Sequence, residues 1–115
     1  MKNNDSLKSL RAANIERQKE WDPGSNLSLS FKGNELAGET GELCNVIKKL
    51  ERETLGLPGS RDTIEHAGEE MADVIICIDN LATHLGIDLV AALQRKFNAT
   101  SEKNGLKTRL VIQDA

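Results

Sequence analysis

Two short acidic pairs, Glu39-Thr40-Gly41-Glu42 and Glu70-Met71-Ala72-Asp73, carry the residues of this chain best suited to chemistry. A spacing of three puts both carboxylates of a pair on one side of a helix. Twenty-seven residues separate Glu42 from Glu70, enough to finish one helix, turn, and return along a second. If those helices face each other, four carboxylates converge, repel one another and lose hydration. A hard divalent cation resolves that conflict, and Mg²⁺ prefers oxygen ligands of this kind. The expectation is therefore an acidic metal site at the seam of a helix bundle. The commonest explanation of a lone ExxE is a solvated charged face, but two features argue against it here. Both pairs border apolar stripes, and the positions four residues after Glu39, Glu42 and Glu70 are Leu43, Val46 and Val74 rather than basic partners.

Other site chemistries fit less well. A di-iron carboxylate bundle uses Glu-x-x-His, whereas Thr63 precedes His66 and Leu81 precedes His84 at that spacing. Zinc asks for closely spaced His or Cys ligands, and neither an EF-hand loop nor a Walker glycine loop is present. Oxygen-only ligation by Mg²⁺, with Mn²⁺ as substitute, remains. His66 and His84 read as surface residues, and no serine or cysteine has an evident histidine base. Cys44 and Cys77 stand alone within apolar runs and read as buried free thiols of a reducing compartment.

Positioning these residues calls for four helices. The first is expected over residues 5–21, with Asp5 or Ser6 as N-cap. Its apolar stripe of Leu7, Leu10, Ala13 and Trp21 is thin. Asn14, Arg17 and Gln18 lie close to that stripe, which suits a surface helix or, less commonly, a face lining a wet pocket. Asp22-Pro23-Gly24-Ser25-Asn26 is a turn by composition. The alternating Leu27-Ser28-Leu29-Ser30-Phe31 has no partner strand and reads as the entry to a second helix, about 28–55, ending near Gly56.

Leu36, Leu43, Val46, Ile47 and Leu50 form one face of that helix, with Glu35, Glu39 and Glu42 along its edge. Gly33, Gly38 and Gly41 weaken it by up to about 1 kcal/mol each, a cost that close approach of a helix or ligand would offset. Asp62, three residues before Glu65, resembles a capping box opening a third helix that runs to His84 or Leu85 and stops at Gly86. Its apolar face comprises Met71, Val74, Ile75, Ile78, Ala82 and Leu85. Asp88 is expected to cap a fourth helix from Leu89 to about Lys103, closed by Gly105, with Leu89, Leu93 and Phe97 as its inner stripe. Lys96 and Asn98 flank Phe97 on that side, and together with Lys103 they suit phosphate oxygens beside a metal cluster.

Composition fits this plan. At 115 residues the chain forms one domain, 1–115, with a modest core. Aromatics are limited to Trp21, Phe31 and Phe97, so Leu, Ile, Val and Ala must fill it, as suits helix on helix. A net charge of −3 offers no basic field for a nucleic-acid polymer. Neither a signal segment at Met1–Asp5 nor a run approaching about 20 apolar residues is found, so no membrane is expected and the cytoplasm is the expected location.

These motifs resemble the MazG-like nucleoside triphosphate pyrophosphohydrolases of the all-α superfamily that includes dimeric dUTPases. The resemblance rests on Asn34-Glu35-Leu36-Ala37-Gly38-Glu39-Thr40-Gly41-Glu42-Leu43, on Glu69-Glu70-Met71-Ala72-Asp73-Val74, on Lys96-Phe97-Asn98 and on Arg17-Gln18-Lys19-Glu20-Trp21. It covers about residues 10–105. It implies an all-α antiparallel bundle of about four main helices, assembled as a dimer or dimer of dimers, that cleaves a (deoxy)nucleoside triphosphate to monophosphate and pyrophosphate. Glu39, Glu42, Glu70 and Asp73 would hold Mg²⁺, with Glu39 completing deprotonation of a water. Lys96, Asn98 and Lys103 would contact phosphates, and Trp21 with Gln18 would border the base. Many relatives carry a glutamate where this chain has Gly38, for which Glu35 is the candidate substitute. Apart from the resemblance, two other readings stand: a non-catalytic helical module binding nucleotide or protein, and a structural homo-oligomer without metal.

Overall fold

The computed structural model describes residues 6–112, and among these it contains four helices and no strand: α1 Ser6–Trp21, α2 Leu29–Thr54, α3 Ile64–His84 and α4 Leu89–Lys103. Asp5, the alternative first cap, lies outside the described residues. Each later helix begins where a side-chain oxygen meets an orphan N–H. Ser28 Oγ accepts from Phe31 N at 3.1 Å, so the alternating stretch before it is the entry to α2, as its lack of a partner strand requires. Asp88 likewise accepts from Ala91 N at 3.1 Å. The opening of α3 differs from the expected capping box: Thr63 is the N-cap, its Oγ1 accepting from His66 N at 3.1 Å. Asp62, one residue earlier, instead accepts from Thr63 N at 2.8 Å and from His66 Nδ1 at 2.7 Å.

The helix ends follow from glycine. Gly56 and Gly86 adopt φ of 69° and 68°, which lets the next N–H fold back. Leu57 N bonds the Arg52 carbonyl at 3.0 Å and Ile87 N bonds that of Ala82 at 2.8 Å. α4 closes the same way at Gly105.

α2 and α3 form an antiparallel hairpin whose register is fixed at both ends. Lys32 Nζ donates to His84 Nδ1 at 3.1 Å at one end, and Lys49 Nζ lies 3.9 Å from Asp62 at the other. Residues whose numbers sum to about 111–116 therefore face each other, which sets Glu42 against Glu70 and Glu39 against Asp73.

α1 is fastened to α3 by a polar clamp. Asp79 is 1% exposed and receives Arg11 Nε at 3.0 Å and Asn14 Nδ2 at 3.0 Å. A second Arg11 nitrogen donates to the Ile87 carbonyl at 3.0 Å, tying α1 to the α3–α4 turn as well. This accounts for the thin stripe of α1, whose one buried residue is Asn14.

The bundle is open. α4 leaves α3 at 107° and packs on α1. The radius of gyration is 17.4 Å, against about 13 Å for a compact domain of this size. The buried apolar core is small: Val46, Ala67, Ala82 and Val90. Several expected inner residues lie at the surface. On α3, Met71 and Ile75 are close to half exposed, and on α4 so are Leu93 and Phe97, while Val90 and Ser101 turn inward in their place. Cys44, expected inside, is exposed, and Cys77 is half-buried; both are free thiols. No neighbour approaches Gly33, Gly38 or Gly41 closely, since a Cβ built there meets nothing within 4 Å. The tail after α4 folds back along it. Asn98 donates Nδ2 to the Leu110 carbonyl at 2.9 Å and accepts Leu110 N at 2.6 Å, while Gln94 accepts Ile112 N at 2.6 Å. No single helix among the described residues is long and apolar enough to cross a membrane.

Candidate metal centre and adjoining cleft

The hairpin register brings the two acidic motifs together. Glu39 on α2 and Glu70 and Asp73 on α3 each place a carboxylate oxygen so that all three lie within 4.8 Å of one another. Glu42 faces Glu70 across the hairpin, close enough to raise the Glu70 carboxyl's hold on a proton. Glu35, one turn before Glu39, lines the same cleft.

These carboxyls are held against their preference for water. Glu70 is buried within the hairpin. Burial, then contact with Glu42, pushes its pKa above the ordinary glutamate value. Glu39 is pushed up as well, first by desolvation, then by the charges of Glu42 and Asp73. Glu39 Oε2 is sealed from solvent and has no hydrogen-bond donor, the one such side-chain atom among the described residues. An acceptor left unpaired in this way is costly. With three further carboxylates around it, its natural complement is a cation. The donor set, all oxygen within the trio, fits a hard divalent ion, and Glu39, Glu70 and Asp73 would hold it.

A cleft of about 450 Å³ opens beside the cluster. α3 contributes Asp73, Cys77 and Asn80 to its wall, α2 contributes Phe31, Glu35 and Glu39, and α1 contributes Arg17, Gln18 and Trp21. The polar side of α1 therefore lines a wet pocket, the less common of the two alternatives that its sequence allows. Trp21 is 62% exposed, and the Arg17 guanidinium sits 4.9 Å from its ring centroid in a cation–π contact. Burial pushes the Cys77 thiol up, and the nearby charges of Glu35, Glu39 and Asp73 add to the shift.

The remaining sequence candidates lie elsewhere in the single chain. Lys96 borders a small apolar groove on α4 with Phe97 and Leu106. The Asn98 amide exchanges two hydrogen bonds with the Leu110 backbone, which ties it to the tail after α4. Lys103 ends α4 and is not among the residues lining the acidic cleft.

Two residues of the cleft wall are not among the predicted site residues. Arg17 and Cys77 were readable from spacing, since Arg17 stands four before Trp21 and Cys77 four after Asp73, each on the same helix face. His66 is a surface residue, as its sequence context implies. Its ring pairs with Asp62 through Nδ1, and Nε2 lies 3.9 Å from Glu70 Oε1.

A second cleft, about 400 Å³, lies between α1 and the α3–α4 turn, but the charges on its wall include the Arg11–Asp79 pair, already matched to each other. Compared with known proteins, the chain matches no family model, no curated protein and no solved structure.

Proposed function

We propose that the chain is a Mg²⁺-dependent nucleoside triphosphate pyrophosphohydrolase of MazG-like type, with Mn²⁺ able to substitute. The observation that carries this reading is the convergence of Glu39, Glu70 and Asp73 within 4.8 Å, with Glu42 beside Glu70, next to an open cleft bearing an exposed indole. A divalent ion there supplies Lewis-acid neutralisation of phosphate charge and a lowered pKa for an attacking water.

The chain's own residues supply the rest. Glu39, whose proton affinity is raised, takes a proton from water as it attacks the α-phosphorus. The bond from that phosphorus to the bridging oxygen breaks, and pyrophosphate leaves. Trp21 offers a ring face to the base, Gln18 an amide to its edge, and Arg17 a guanidinium at the same end of the cleft. Glu35 stands in for the glutamate missing at Gly38. Lys96, Asn98 and Lys103 reach phosphates only from a second copy of the chain, Asn98 with the amide hydrogen that its bonds to Leu110 leave over.

A homodimer or homotetramer follows from the same reading, and the exposed Met71, Ile75, Leu93 and Phe97 support it. No nucleic-acid polymer or membrane is a partner in this proposal, and it places the enzyme in the cytoplasm, acting to clear or regulate nucleotide pools.

One observation favours a non-catalytic nucleotide- or protein-binding module instead: Arg17 is the one Lys or Arg among the residues lining the cleft. The deciding experiment is a panel of common NTPs and dNTPs with Mg²⁺, products resolved as mono-, di- and pyrophosphate. Pyrophosphate release that drops at least about 100-fold in Glu42→Ala and Asp73→Ala is expected, in line with loss of an electrostatic catalytic group. Orthophosphate alone defeats the hydrolase reading, and a Mg²⁺-dependent rise in Tm with no turnover favours the module.

A further inference from the structure

We infer that Asn80 determines base specificity: its carboxamide, in the cleft wall two helical turns from the acidic cluster, hydrogen-bonds the edge of a nucleobase packed against Trp21 and Phe31. This rests on the nucleotide reading of the cleft given above.

Among the described residues, the buried or half-buried amide side chains on the helices are Asn14, Gln18, Asn80, Gln94 and Asn98. Three of them are bonded within the chain. Asn14 donates to Asp79 Oδ2 at 3.0 Å, Gln94 accepts from Ile112 N at 2.6 Å, and Asn98 exchanges two bonds with Leu110. The carboxamides of Gln18 and Asn80 bond to no described residue, and these are the two that line the cleft. An asparagine within a helix weakens it, since its amide competes for nearby backbone groups. Asn80 takes no such bond. A polar group drawn out of water without a partner is costly, and a ligand offering a donor beside an acceptor removes that cost.

Asn80 follows Asp73 by seven residues on α3, so the two share a helix face and stand about 10 Å apart along the axis. An extended nucleotide covers a comparable span between its α-phosphorus and the far edge of its base. Phe31 and Trp21, 46% and 62% exposed, line the same cleft. The chain has three aromatic residues, so two of them stand open to solvent beside these amides. Exposed rings next to open amides suit a flat ring that stacks by its faces and bonds by its edge. An amide holds one donor and one acceptor in a plane, the pattern by which asparagine reads a base edge. A bare polyphosphate has no use for either feature.

The test uses Trp21, the one tryptophan of the chain, as a fluorescent reporter. The full chain with Mg²⁺ is titrated with the cleavage-resistant α,β-methylene analogues of dATP, dCTP, dGTP and dTTP, and with inorganic tripolyphosphate by competition. The tightest analogue is expected to quench Trp21 and to bind at least about tenfold better than tripolyphosphate. Asn80→Leu is expected to weaken that analogue about 10–100-fold and to leave tripolyphosphate affinity unchanged. Asn80→Asp, which keeps the acceptor and loses the amide donor, is expected to shift the ranking toward cytosine and adenine, whose far edges carry an amino group. An equal loss for tripolyphosphate and nucleotide in Asn80→Leu overturns the proposal, because it marks a structural role. So does an unchanged ranking in Asn80→Asp. Wild-type protein that binds every analogue no better than tripolyphosphate defeats this inference and leaves the metal reading standing. Wild-type protein that binds none of these probes defeats it together with the proposed hydrolase.

Discussion

Glu39 and Glu70 bind protons more tightly than a glutamate in water, because the hairpin removes solvent and sets other carboxyls against them. Their pKa values in the folded chain lie above the ordinary 4.5, so the native state carries more protons than the unfolded state. Stability from this source is greatest below that value and falls as pH rises through the raised ones. Asp22 and Asp62 run the opposite way. Backbone N–H groups lower both, so their contribution is present above 3.8 and lost on acidification. In chelator, Glu39→Gln should melt at a higher temperature than wild type near neutral pH, and its Tm should decline less between pH 5 and 8. Adding Mg²⁺ should reverse the order. Thermal melts across pH check this, and a Glu39→Gln protein less stable than wild type in chelator would remove the electrostatic argument. The acidic residues themselves were legible from their types and spacing. The contact of the His66 ring with Asp62 was not, because a spacing of four permits such a pair without requiring it.

Helix positions were largely readable, since Ser28, Asp88, Gly56, Gly86 and Gly105 act within one turn of chain. The start of α3 was misread because Asp62 and Thr63 are both good caps, and the histidine that follows claims Asp62 for its ring. The seating of α1 was harder still. Arg11 and Asn14 looked like solvated residues of a weak amphipathic helix until Asp79, more than sixty residues away in sequence, supplied their partner. This clamp holds α1 on α3 and thereby sets Arg17, Gln18 and Trp21 over the cleft. Arg11→Met leaves a carboxylate that is 1% exposed with Asn14 as its remaining partner, which should cost about 3–5 kcal/mol. Asp79→Asn should cost less, because the stranded Arg11 is 26% exposed and keeps the Ile87 carbonyl. Urea denaturation of both variants measures the order; the reverse would mean that the clamp does not depend on leaving the buried carboxylate a cationic partner.

At the scale of the molecule, the four helices among the described residues enclose a small buried apolar core of Val46, Ala67, Ala82 and Val90, while a face bearing Met71, Ile75 and Ile78 on α3 stays open. Exposed apolar area of this kind marks an interaction surface. A charge placed there should affect assembly before it affects the fold, since solvent already reaches the position. Ile75→Glu is expected to convert an oligomer into monomers by light scattering while the helical circular dichroism is retained. A wild-type chain that is itself monomeric at high concentration would rule the assembly out. The stripes on α3 and α4 were read as inner faces because periodicity reports that a face is apolar and not what covers it.

What the sequence determined by itself were the quantities set by neighbours within a turn or two: four helices, their ends, and acidic pairs spaced to share a helix side. Tertiary structure decided which sides meet. The α2–α3 register drew Glu39, Glu70 and Asp73 into one cluster, the Asp79 clamp placed α1 over the cleft, and the 107° departure of α4 carried Lys96 and Lys103 away from it. Those outcomes depend on pairings across many tens of residues, where the free energy of a contact is shared between two distant segments and neither one encodes it alone.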